Sequence, residues 1–134
     1  MTKPTMSYGT TIMVKTPFEE TLQRVREELR AEGFGVLTEI NVTATLNEKL
    51  GEQIEDYVIL GACNPPLAHA ALQADRSIGL LLPCNVVVRA GDDVTVVEVL
   101  DPQLMSKLSG HEGLSAPADE ATERLGRVIE RLAA

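Results

Sequence analysis

Aromatic side chains are almost missing from this chain: they make up 3% of 134 residues, and tryptophan is absent. A core must therefore be built from Leu, Val, Ile and Ala, and a surface that stacks bases on aromatic platforms is excluded. Basic residues are also scarce, 12 against 20 acidic ones, for a formal net charge of -8. No Lys/Arg cluster interrupts that sign, so neither nucleic acid nor an anionic membrane is an expected partner. No apolar run approaches the roughly 20 residues that span a bilayer. The opening MTKPTMSYGTTIMVKT has no apolar stretch of the kind a secretory signal needs, and a cytoplasmic location is expected. Two cysteines in a reducing compartment are thiols rather than a staple. Phosphate loops, dinucleotide fingerprints and nucleophile elbows are missing too, and the acidic residues form no catalytic set. An enzyme is not the leading expectation.

What is present reads as one α+β domain over residues 1–134, with 44% apolar and 24% charged residues. Tyr8–Val14 alternates as a strand. Thr16-Pro17-Phe18-Glu19 then resembles a capping box with proline at the first helical position. The helix it opens puts Phe18, Leu22, Val25 and Leu29 on one face and stops at Gly33. Phe34, Val36, Thr38, Ile40 and Val42 suggest a half-buried strand. Thr45 with Glu48 suggests a second capping box for a short helix ending at Gly51. Val94–Leu100 alternates after a turn at residues 90–93, Asp101-Pro102 starts a helix, and residues 109–117 read as a flexible loop. From Ala118 the pattern is helical, with Ala121, Leu125, Val128, Ile129 and Leu132 inward. The order is β-α-β-(α)-β-α-β-β-α, which predicts a two-layer sandwich with helices on one face of a mainly antiparallel sheet.

The unusual residues gather between Tyr57 and Arg89, which holds both cysteines, three of the seven prolines and His69. Tyr57–Cys63 is apolar nearly throughout, as a strand covered on both sides or at an interface would be. Asn64-Pro65-Pro66 caps and begins a helix. Ile78–Arg89 is interrupted by Pro83, which implies a bulge, a bend or an edge position. If the two strands run parallel across the helix, Cys63 falls opposite Cys84. Cys63 also precedes a helix N-terminus, where free amides stabilise thiolate. Redox sensing, persulfide carriage or a soft ion such as Cu(I) would suit that pair; two small buried apolar side chains are the simpler reading. His69 could join the thiols, although no zinc signature has this spacing. Asn85, beside Pro83 in an apolar strand, needs partners from a bulge, a dimer mate or a ligand.

FEETLQRVREELRAEGFGVLTEINV, GACNPPLAHAAL and IGLLLPCNVVVR resemble the domain of unknown function 302 family over about residues 8–132. The paired ACNP and PCNVVV blocks carry the likeness. The resemblance implies a TATA-binding-protein-like α+β fold, often a homodimer, and implies no reaction, cofactor or catalytic residue.

Three readings follow. The first is a homodimeric module that binds a small ligand or a partner near Cys63, Asn64, His69, Cys84 and Asn85. The second is a thiol-active or soft-metal-binding protein using Cys63 and Cys84, with His69 as a further metal candidate. The third is a purely structural or interaction module.

Overall fold

Five extended segments pair into one sheet of order β1-β5-β4-β3-β2, and every pairing is antiparallel. The strands are β1 (Gly9–Val14), β2 (Gly35–Asn41), β3 (Tyr57–Cys63), β4 (Cys84–Ala90) and β5 (Thr95–Leu100). The helices are α1 (Phe18–Ala31), α2 (Val42–Leu50), α3 (Pro65–Ala74), α4 (Gln103–Ser109) and α5 (Ser115–Ala133). The structure is a computed structural model and describes residues 8–134. The reading of the chain's start as free of a secretory signal therefore falls partly on residues 1–7, outside the described ones. No helix among the described residues is long and apolar enough to cross a membrane.

The expected two layers are present. α1 and α5 turn Leu22, Val25, Leu29, Ala121, Leu125, Val128 and Leu132 onto one face of the sheet. They meet Val58, Leu60, Val86, Val88, Val97 and Val99, which cross-strand pairing places on that same face. Each such side chain, fully removed from water, contributes roughly 1.5–3 kcal/mol. A second, smaller cluster of Ala71, Ile78, Met105, Leu114 and Ala118 joins α3, α4 and the start of α5 beyond the sheet's end.

The long helices follow their patterns more closely than their caps do. Pro17, not Thr16, precedes α1, and no side chain caps that helix. The Thr16 hydroxyl instead lies 2.6 Å from that of Thr21. The Thr16 carbonyl accepts from the hydroxyls of Thr21 and Thr95. At the other end Gly33 has φ +84°, and the Gly33 and Phe34 amides bond the carbonyls of Arg30 and Leu29, closing the last turn. α2 starts earlier than the Thr45/Glu48 pattern suggests, because the Asn41 side chain accepts from the Ala44 amide at 2.9 Å.

β2 departs from its expected alternation. A register shift between Val36 and Thr38 leaves Leu37 unpaired and moves Thr38 and Ile40 to the face opposite Val36, while Val42 already belongs to α2. β2 is also an edge strand, so both sides of it are wet. Ile78 is not in a strand; residues 76–81 form a 3-10 turn, and β4 begins at Cys84, after the cis Leu82–Pro83 bond. The stretch expected to be a flexible loop holds a 3-10 turn at Glu112–Leu114 with Leu114 fully buried, and α5 starts at Ser115.

Candidate functional site

β3 and β4 run antiparallel, not parallel as their spacing suggested. Their connection therefore leaves and re-enters the sheet at one end, and α3 with its 3-10 turn fills residues 65–81 over that end. Ala62 pairs with Cys84, so Cys84 faces the helices with Ala62 while alternation turns Cys63 to the opposite face of the sheet. The two cysteines are near each other in the sheet but their side chains leave it on opposite faces. Both line a small apolar niche with Phe34, Ala62, Leu67, Pro83 and Met105, whose volume is about 30 Å³. Both thiols are free, Cys63 half-buried and Cys84 buried.

The expectation that a helix N-terminus would favour thiolate at Cys63 fails for a local reason. Pro65 and Pro66 have no N–H to offer. The next two amides are taken: Leu67 N–H bonds the Asn64 side chain at 3.3 Å, and Ala68 N–H bonds the Asn64 carbonyl at 2.9 Å. With no free donor beside it, burial pushes the Cys63 thiol above its ordinary value. Burial, and secondarily the neighbouring Cys63, pushes Cys84 up to about 11.

The remaining candidates separate. Asn64 caps α3 as expected, and its amide also donates to the Glu32 carbonyl at 3.5 Å. It is buried and committed to those bonds. His69 is exposed on α3, 3.1 Å from Gln73, and does not line the niche. Asn85 is exposed and pairs with Gly61 on the sheet face away from the helices. Being exposed, its amide needs no buried partner. Among the described residues no group of three or more His, Cys, Asp or Glu is placed to hold a metal ion.

Two features had no counterpart in the sequence reading. Beside the niche, Glu32 ends α1, and its carboxylate accepts from Arg127 Nε at 3.1 Å and Arg131 Nη1 at 3.0 Å. The Arg127 hydrogen bond, with help from Arg131 and against the effect of burial, holds the Glu32 carboxyl below its ordinary value. Arg124 donates to the Glu32 carbonyl at 3.1 Å. Helical spacing of Arg124, Arg127 and Arg131 is visible in the sequence, but their partner lies more than ninety residues away.

The second feature is the sheet's other face. Pairing puts Met13, Ile40, Tyr57, Ile59, Val87, Val96 and Leu100 there. Neither hydrophobic cluster among the described residues draws a side chain from it. Its charges are Arg89 and Glu98, which pair at 3.0 Å, with Thr11 donating to the same carboxylate. Residue 61 is glycine on this face because a Cβ there would come within 2.2 Å of the Thr38 hydroxyl and 2.9 Å of Pro83. At the opposite end of the sheet, α2 and residues 53–56 flank an open polar depression of about 470 Å³, lined by Asn41, Thr43, Asn47, Glu48, Gln53 and Asp56.

Comparison with known proteins agrees with this architecture. No curated protein matches the chain. An uncharacterised conserved DUF302 protein from Bacillus stearothermophilus, known from its crystal structure, is 31% identical. The match covers 95% of this chain and 99% of that one, with a TM-score of 0.87. The family model described as "Domain of unknown function DUF302" matches residues 10–132, which takes in all five helices, nearly all of the sheet and the niche. On both grounds the chain belongs to the DUF302 family.

Proposed function

We propose that the protein is a partner-binding module whose partner is a second copy of itself, joined through the sheet face that no helix among the described residues covers. One observation carries the reading: a chain of net charge -8 keeps this face electrically neutral, its single ion pair closed internally by Arg89 and Glu98. Two such faces meet without the repulsion that the rest of the surface would impose. Five strands about 4.8 Å apart and six or seven residues long outline a face of roughly 20 by 20 Å. Thr38, Asn85, Arg89 and Glu98 share that outline with its apolar residues, and Val96 within it is buried. Met13 and Ile40, both largely exposed, sit toward its two edges.

A small organic ligand at the cysteines is less well supported. Ligand pockets occupy about 300–1,000 Å³, and the niche has about 30 Å³. Sedimentation velocity tests the dimer. The wild type is expected to associate in a concentration-dependent way, and Ile59→Arg with Val87→Arg is expected to give a folded monomer with an unchanged circular dichroism spectrum. A chain that stays monomeric up to about 1 mM, where about -4 kcal/mol of association would register, refutes the proposal. A double variant that still dimerises refutes the choice of face.

A further inference from the structure

Among the strand residues turned to the sheet face that no described helix covers, only Arg89 on β4 and Glu98 on β5 are charged. β4 is the middle strand and β5 its neighbour, so the pair stands away from both edge strands. Arg89 Nε donates to one Glu98 oxygen at 3.0 Å, and the Thr11 hydroxyl donates to the other at 3.0 Å. A guanidinium has more N–H donors, and a carboxylate more lone pairs, than these bonds use. The two side chains are 32% and 36% exposed, so solvent reaches what remains.

Covering this face removes that solvent. An ion pair taken out of water is favourable only when further hydrogen bonds satisfy the rest of both groups. The backbone beneath cannot provide them, because β4 and β5 each have a hydrogen-bonded neighbour on both sides. A second copy can. In a two-fold contact the same patch serves both subunits, and residue i meets j while j meets i. With the axis crossing the line from Arg89 to Glu98, each guanidinium lies over the other copy's carboxylate. Four charges of alternating sign then close on one another, and the junction stays neutral in a chain of net charge -8. We infer that Arg89 and Glu98 are the residues by which two copies recognise each other, each Arg89 pairing with the second copy's Glu98 across the dimer axis. This rests on the dimer proposed above and adds what fixes its register.

The size of the face favours such a device. Two outlines of roughly 20 by 20 Å bury about 800 Å² together, at the low end for a specific contact. Apolar side chains over so small an area leave more than one orientation open. Charge does not, because a shifted or inverted register sets Arg89 against Arg89 or Glu98 against Glu98.

The test exchanges charges between full-length chains, with chain masses read by native mass spectrometry and association by sedimentation velocity. Arg89→Glu leaves two acids on the face, and Glu98→Arg leaves two bases. Each variant alone is expected to lose more than about 100-fold in self-association, because like charges then meet. An equal mixture of the two is expected to form a heterodimer, since every acid now meets a base. The double variant R89E/E98R is expected to pair with itself and to reject the wild type. Circular dichroism confirms the fold of each chain. Should a reversal unfold it, Arg89→Gln replaces it, with weaker association and a smaller response to salt expected. A wild type that dimerises while the mixture stays monomeric overturns this inference and leaves the dimer standing. So do single variants that self-associate as the wild type does. A wild type that is monomeric throughout removes both proposals.

Discussion

The two faces of the sheet are built from the same strands and do opposite things. On one, Leu60, Val86, Val88 and Val97 are fully buried under α1 and α5. On the other, Ile40 and Met13 remain 49% and 60% exposed, and the centre holds an ion pair. Alternation forces this division, since successive residues of a strand point to opposite faces. The difference teaches which apolar residues serve folding and which are free to serve association.

The contrast can be broken from the covered side. Leu60→Ala leaves a cavity with no neighbour free to close it, and a loss of about 2–5 kcal/mol in urea unfolding is expected. An effect under 1 kcal/mol would mean that the helices are not seated on that strand. The next effect is on Cys84, which faces the helices from the sheet's end. Its folded-state value of about 11 against 9.0 means that the unfolded chain ionises first as pH rises. The stabilising contribution is complete below pH 9.0 and is lost as pH passes through about 11. The two-unit difference corresponds to about 2–3 kcal/mol. Unfolding measured between pH 8 and pH 11 should show that fall in the wild type and a flatter curve in Cys84→Ala.

Glu32 gives the opposite sign. Its carboxyl is held below the ordinary 4.5, so its contribution is present above pH 4.5 and lost as acid titrates it through its lower folded-state value. Glu32→Gln should reduce stability at pH 7 and flatten the curve below pH 4.5; an unchanged acid limb would remove Glu32 from the account. The smallest effect belongs to the open face. Ile40→Ser should change stability by less than about 0.5 kcal/mol at dilutions where the chain is monomeric. The same substitution should weaken association in sedimentation. A large monomer effect would show that the face is already covered.

The order of elements was legible because it depends on periodicity and punctuation. α1 and α5 carry their apolar residues at helical spacing, and Asn64 and Gly33 act where their chemistry suggested. Errors arose where one residue could satisfy two partners. Thr16 has the chemistry of a cap, yet Thr21 competes for its hydroxyl. Asn41, at the end of a strand, captures the start of α2 before Thr45 can. The bulge at Leu37 reverses a face, and no local residue signals it. Strand direction was also hidden: residues 64–83 are long enough for a parallel crossover, but their helix folds over one end instead. The expected placement of Cys63 opposite Cys84 failed with that direction, since Ala62 takes the position across from Cys84. Met105 could not be joined to them, because α4 approaches only through tertiary packing.

The carbonyl of Glu32 receives both the Asn64 amide and the Arg124 guanidinium. One oxygen thus links the last turn of α1, the first turn of α3 and the middle of α5, segments far apart in the chain. Fraying of any one of them exposes that oxygen and strands two donors. The three turns should therefore open as one cooperative unit, exchanging their amide hydrogens at a common rate, while α2, which buries no side chain, exchanges on its own.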